Sequence, residues 1–127
     1  MPPEESEILS VFRRFLDGME QRRPDSLLDL VLPNGMMTRV SGGDYRQVTI
    51  AELLDMFPKT GDSMLEERIY DPIVHMDGAI AVIWCRYDFR VDGEIVHAGS
   101  NIINLVRTNG RWLISGLSDS ASPASAD

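Results

Sequence analysis

The sequence predicts an α+β fold in which three N-terminal helices lie against a curved, mostly antiparallel sheet that closes over a small pocket. Three observations lead there. Apolar residues recur at helical spacing in the first third of the chain. From Met64 onward β-branched and aromatic residues dominate instead. Within that second half Asp77-Gly78, Asp92-Gly93 and Asn109-Gly110 each place a residue tolerant of positive φ before a glycine, between apolar runs, which is the signature of a tight hairpin turn.

Residues 4–22 read as the first helix. Ile8, Leu9, Val11, Phe12, Phe15, Leu16 and Met19 form one broad apolar stripe, and Glu4, Glu5 and Glu7 crowd the start, where the helix dipole favours negative charge. Leu27 to Leu32 form a short second helix that Pro33-Asn34-Gly35 ends. Met36 to Val40 is a short strand, and Ser41-Gly42-Gly43-Asp44 a loop. Thr49 is an N-cap with Glu52 in capping-box position, opening a third helix from Ile50 to Phe57 that Pro58 and Gly61 stop. Four strands follow as a meander, at 65–76, 79–91, 94–108 and 111–119. One domain over 1–120 and a small polar, disordered tail over 121–127 complete the expectation.

Composition excludes several functions. A net charge of −8 with a single lysine, Lys59, lacks the clustered cations that displace counterions from a nucleic-acid backbone. No apolar run approaches the roughly 20 residues of a membrane span, and the acidic start MPPEESE has no signal core. Cys85 is the one cysteine, so no internal disulfide forms and a reducing, cytoplasmic setting is expected. His75 and His97 are the only histidines and have no metal-ligand spacing. Neither a GK[ST] loop nor a GxGxxG pattern is present, so no cofactor is expected.

A regular two-residue turn at Asp92-Gly93 pairs Asp88 with His97, Arg86 with Gly99 and Trp84 with Asn101. The same turn at Asn109-Gly110 pairs Asn101 with Ser118. These side chains would share one face, apolar at one end and polar at the other, as a pocket beneath helices requires. A bulge near the turn would shift the register by one and separate Asp88 from His97. In the regular register Asp88 and His97 are candidate catalytic residues, the carboxylate orienting an imidazole for acid–base work. The alternative is a structural ion pair worth ~0–1 kcal/mol if exposed. Trp84, Arg86, Asn101 and Ser118 are candidate ligand-binding residues. A Ser118–His97–Asp88 hydrolase is excluded, since four strand residues separate Ser118 from His97, about 13 Å.

The order helix–helix–strand–helix followed by a long meander resembles the nuclear transport factor 2-like superfamily. The segment GRWLISGL at 110–117 looks like the last strand of its SnoaL-like and lumazine-binding-like branches. The stretch IAVIWCRYDFRVDGEIVHAGSNIINLV at 80–106 is similar to bacterial members with Trp84, Tyr87, Asp88, Gly93, His97 and Gly99 at the matching places. The resemblance implies a cone whose open end is a ligand cavity, in a superfamily of isomerases, dehydratases, cyclases, binding proteins and assembly domains. Small-molecule binding, for a hydrophobic or aromatic ligand, is the leading functional expectation. The alternatives are a cofactor-free isomerase, dehydratase or cyclase using Asp88 and His97, and an assembly domain without ligand. The opposite sheet face, with Ile83, Tyr87, Phe89, Val96, Ile102 and Leu117, is too apolar for water, and a sheet-to-sheet homodimer is expected to cover it.

Overall fold

The computed structural model describes residues 2–123. Helix α1 (Pro3–Glu20) starts on proline, whose fixed φ suits the first turn, with Glu4 and Glu5 at the positive end of the dipole. Its stripe from Ile8 to Leu16 is buried. The helix stops at Glu20, short of the predicted Arg22, because Arg22 takes a left-handed conformation (φ 56°). From there its guanidinium donates to the carbonyls of Thr60 and Ser63 at 3.0 and 2.7 Å.

The second helix is a 3-10 turn, Pro24–Leu30, and Val31 already opens β1 (Val31–Ser41). Pro33 therefore does not end a helix. It sits inside a strand, where the ladder to β6 skips from Val31 to Met36, and a residue without an N–H is tolerated there. Strand β2 (Asp44–Thr49) was not expected. Gly42 and Gly43, both at positive φ, turn the chain back so that β2 pairs with β1. Thr49 then caps α2 (Ile50–Met56) as predicted. Its hydroxyl accepts from Glu52 N–H and the Glu52 carboxylate accepts from Thr49 N–H, both at 3.0 Å.

The meander stands as β3 (Leu65–Asp77), β4 (Ile80–Val91), β5 (Glu94–Thr108) and β6 (Arg111–Ser120), within a residue of the expected bounds. The sheet order is β2-β1-β6-β5-β4-β3. It is antiparallel except where β1 runs parallel to β6. After Asp119 the chain remains placed: Ala121 is buried, and β7 (Ser122–Pro123) pairs with β5 at His97 and Ala98. Residues 124–127 of the expected tail lie outside the described residues.

The helices cover one face of the curved sheet. The core between them joins Ile8, Phe12, Ile83, Ile103, Leu105 and Ile114, all at most 2 % exposed. Besides a bulge in β3, between the pairs Tyr70–Arg86 and Ile73–Trp84, two bulges decide which strand residues reach it. One, at Val96, lies between the pairs Arg90–Ile95 and Phe89–His97. The other, at Ser115, lies between Leu105–Ile114 and Asn104–Gly116. One extra residue moves every later side chain to the other face. His97, Asn101, Ile103, Trp112 and Ile114 thus face inward as predicted, while β4 is reversed and turns Ile83, Cys85, Tyr87 and Phe89 inward. The apolar face assigned above to a partner is therefore mostly the core face of the molecule itself.

Candidate functional site

Between α1, α2 and the wide end of the sheet lies a cavity of about 420 Å3. Phe12, Phe15, Leu53, Phe57, Phe89 and Leu117 supply apolar wall. Arg39, Glu67, His97, Asn101 and Asp119 supply the polar part. They come from β1, β3, β5 and β6 and reach the cavity by strand alternation. Glu67, Phe89 and His97 lie in one row across β3, β4 and β5. Two strand spacings put the Glu67 and His97 backbones roughly 10 Å apart. Arg39, Asp119 and Asn101 make the next row across β1, β6 and β5.

Arg39 and Asp119 form a bidentate pair, Nε to Oδ1 at 2.9 Å and Nη2 to Oδ2 at 2.8 Å, with Asp119 buried. This hydrogen bond raises the Arg39 pKa further. Asn101 Nδ2 donates to Glu67 Oε2 at 3.1 Å. Burial nevertheless pushes the Glu67 carboxyl up to about 7; Asp119 and Glu20 add to the rise, while the Asn101 hydrogen bond and Arg39 oppose it. Glu20 accepts from the Glu67 backbone N–H at 3.0 Å, and burial raises its carboxyl too.

His97 is held by Phe89 and Tyr87. Its ring stacks on Phe89 (centroids 5.2 Å, 11° between planes) and meets Tyr87 edge-on at 5.6 Å. Nδ1 lies 3.1 Å from the Tyr87 hydroxyl, which also donates to the Ser120 carbonyl at 3.1 Å. Burial first, then Arg39, lowers the imidazole pKa, against a smaller opposing effect of Asp119, which favours the neutral ring. Gly99 makes this arrangement possible. A Cβ there would lie far inside contact distance of the Ser120 carbonyl oxygen and 2.7 Å from its carbon.

Of the residues singled out from sequence, His97 and Asn101 line the cavity. The other four do not, and the bulges are the cause. Asp88 pairs with Ala98, not His97, and points to the outer face of the sheet. There it accepts from Tyr70 Oη at 2.6 Å and Arg90 Nε at 2.9 Å, and the Arg90 hydrogen bond keeps its carboxyl below the usual range. The Asp88–His97 dyad does not exist. Trp84 is 55 % exposed on the same outer face. Arg86, paired with Ser100, and Ser118, paired with Ile102, are exposed there too. Sequence reasoning missed Arg39, Glu67, Tyr87 and Asp119. A usable signal was present: Glu67 stands between Leu65 and Ile69, Tyr87 between Cys85 and Phe89, each a polar residue flanked at two-residue spacing by apolar ones.

Cys85 is 2 % exposed, and burial pushes its thiol up to about 11, which suits the inert core thiol expected. Among the described residues no cluster of three or more His, Cys, Asp or Glu is placed to hold a metal. Among them, too, no helix is long and apolar enough to cross a membrane.

Two helices and a 3-10 turn on a curved open sheet, with a cavity at its wide end, define a nuclear transport factor 2-like, or cystatin-like, cone. A nuclear transport factor 2-like protein from Cytophaga hutchinsonii superposes with a TM-score of 0.76 at 15% identity, over 95% of this chain and 99% of that one. A cystatin-like protein from Nostoc punctiforme gives 0.75 at 12%, over 99% and 96%. A nuclear transport factor 2-like family member from Streptomyces avermitilis, described as a "putative dehydratase", gives 0.71 at 19%, over 97% of both chains. Within this class the chain belongs to the family described as "Putative lumazine-binding", whose model matches residues 3–115. No curated protein sequence matches the chain significantly. Family and fold fit ligand-binding or enzyme-like roles and leave specificity open.

Proposed function

We propose that the protein binds a small, largely apolar or aromatic molecule carrying a polar group, inside the cone. The observation that carries this reading is the cavity of about 420 Å3, with aromatic and aliphatic wall on one side and Arg39, Glu67, His97, Asn101 and Asp119 gathered on the other. Its size falls within the usual range of small-molecule pockets, which is roughly 300–1,000 Å3. Thermal-shift screening with aromatic and polycyclic compounds, followed by a crystal structure, tests it. Failure of every compound to stabilise the protein, with Phe12, Phe15 and Phe57 collapsed into the space, would sink the idea.

A second reading, cofactor-free proton transfer, is favoured by one feature. Glu67, with a pKa near 7, and the neutral imidazole of His97 open onto the same cavity. One can give a proton and the other take one. This replaces the Asp88–His97 pair. Deuterium exchange at the carbon next to the carbonyl of a bound ketone, lost in His97→Gln, is the expected behaviour; exchange no faster than in buffer removes the reading.

Homodimerisation moves to the outer face. Ile73, Trp84 and Ile102 form one row across β3, β4 and β5 and are 49 %, 55 % and 44 % exposed. At about 25 cal/mol per Å2, covering such side chains is worth several kcal/mol, and a two-fold sheet-to-sheet contact covers both copies at once. Light scattering decides: a mass of 14.2 kDa at micromolar concentration would rule the dimer out.

A further inference from the structure

We infer that the Ser120 carbonyl and Tyr87 lock His97 as the Nδ1–H tautomer, so that Nε2 presents a lone pair to the cavity and selects an uncharged ligand that donates an O–H or N–H hydrogen bond. The inference rests on the binding function proposed above and narrows the ligand class.

A tyrosine hydroxyl has a single proton to donate. The oxygen of Tyr87 lies 3.1 Å from the Ser120 carbonyl, which can only accept, and 3.1 Å from His97 Nδ1. Directing the hydroxyl proton to Nδ1 would leave two oxygen lone pairs facing each other at the carbonyl. Both contacts are hydrogen bonds only if Tyr87 donates to Ser120 and His97 Nδ1–H donates to Tyr87. A neutral imidazole has one N–H, so Nε2 is then bare and can only accept. Among the described residues Nε2 has no protein partner, and it is not sealed off as a buried unpaired atom. The stack on Phe89 and the edge contact with Tyr87 oppose the ring flip that would put Cδ2 in place of Nδ1 beside the tyrosine hydroxyl. Gly99 holds the whole relay in place by admitting the Ser120 carbonyl.

Charge in the cavity excludes the obvious competitor, an anionic ligand. The Arg39 fork is taken by Asp119 through two N–H groups, which leaves it neutralised towards a ligand carboxylate. Phe12, Phe15 and Phe57 would strip water from any formal charge. A phenol or alcohol hydroxyl, or an amide or heterocyclic N–H, satisfies the bare Nε2 without that cost.

The test is nitrogen-15 NMR of histidine-labelled protein at neutral pH, with the exposed His75 as internal control. The expected result is a His97 Nδ1 of protonated type and an Nε2 of bare, pyridine type. Titration then uses three probes of matched ring system: 1-naphthol, 1-methoxynaphthalene and 1-naphthoate. Naphthol is expected to shift the Nε2 resonance and to bind about tenfold or more tighter than the ether, the worth of roughly one hydrogen bond; naphthoate binds weakest. Tyr87→Phe should return His97 to a mixture of tautomers and shrink the naphthol preference; should that variant fold poorly, the tautomer of the unaltered protein is the independent measurement. An Nε2–H tautomer in the unaltered protein overturns the inference even if all three probes bind. Equal binding of naphthol and ether overturns the ligand class. A correct tautomer with no probe bound at millimolar concentration overturns the ligand class and the binding function, and leaves the lock standing.

Discussion

Replacing Glu67 with glutamine should make the protein more stable at neutral and alkaline pH, and the gain should appear only as the wild-type carboxylate ionises. The folded pKa of about 7 stands above the ordinary 4.5. The folded state therefore holds this proton more tightly than the unfolded state. For a carboxyl shifted in that direction, stability is full below the unfolded value, falls as pH rises from about 4.5, and is lowest above about 7. At about 1.4 kcal/mol per pH unit the gap is worth about 3 kcal/mol, an upper value because Glu67 is partly open to the cavity. The glutamine introduced by Glu67→Gln would keep the contact from Asn101, since an amide oxygen accepts as a carboxylate does. Urea unfolding of both proteins at half-unit steps from pH 4.5 to 8 measures the difference free of other titrating groups, except for the coupled Glu20. The Glu67→Gln minus wild-type curve should climb by about 2–3 kcal/mol between pH 5 and 7.5 and then level. A flat difference would refute the placement of Glu67 in a desolvated wall. A difference of opposite sign would mean that Arg39 dominates its environment.

Gly99→Ala should cost about 2–4 kcal/mol. The new methyl would push the Ser120 segment away and break the hydrogen bonds to Tyr87 and Ser100 N–H; a change under about 0.5 kcal/mol in denaturant unfolding would contradict this. Arg39→Ala leaves the buried Asp119 without its partner and should lose about 2–3 kcal/mol in the same measurement, less than a fully buried pair because Arg39 is partly exposed; Arg39→Lys, which cannot make both contacts, should fall between. Thr49→Ala removes the α2 cap and should lower stability by about 1 kcal/mol without altering ligand binding, as read by thermal melts with and without a bound probe. Ile102→Asp should convert a dimer to monomer by light scattering while leaving the cavity's ligand binding intact, since its side chain is on the outer face; loss of both together would mean that the substitution damages the fold.

Most of the fold was legible because it rests on local rules. Helix α1 was visible in a seven-residue apolar stripe, α2 in a capping box, and the long hairpins in three Xaa-Gly turns whose first residues, at Asp92 and Asn109, do take positive φ. The inward side of β5, with His97, Asn101, Ile103 and Leu105, was also readable, because alternation needs no knowledge of the neighbouring strand. Sequence alone thus determined α1, α2 and the four-strand meander, though not β2 or β7, and two of the polar cavity residues. Tertiary structure decided the inward side of β4 and of the end of β6 through two extra residues, Val96 and Ser115. Neither is a glycine or carries another mark of a bulge, and each is accommodated only because the strands beside it must twist and the helices must cover an apolar face. Since a strand repeats every two residues, each one-residue bulge reverses everything beyond it. That reversal sent Trp84, Arg86, Asp88 and Ser118 outward and brought Tyr87 and Asp119 in, and the choice belongs to the burial of Ile83, Cys85 and Leu117 beneath α1 and α2, which no local stretch of sequence contains.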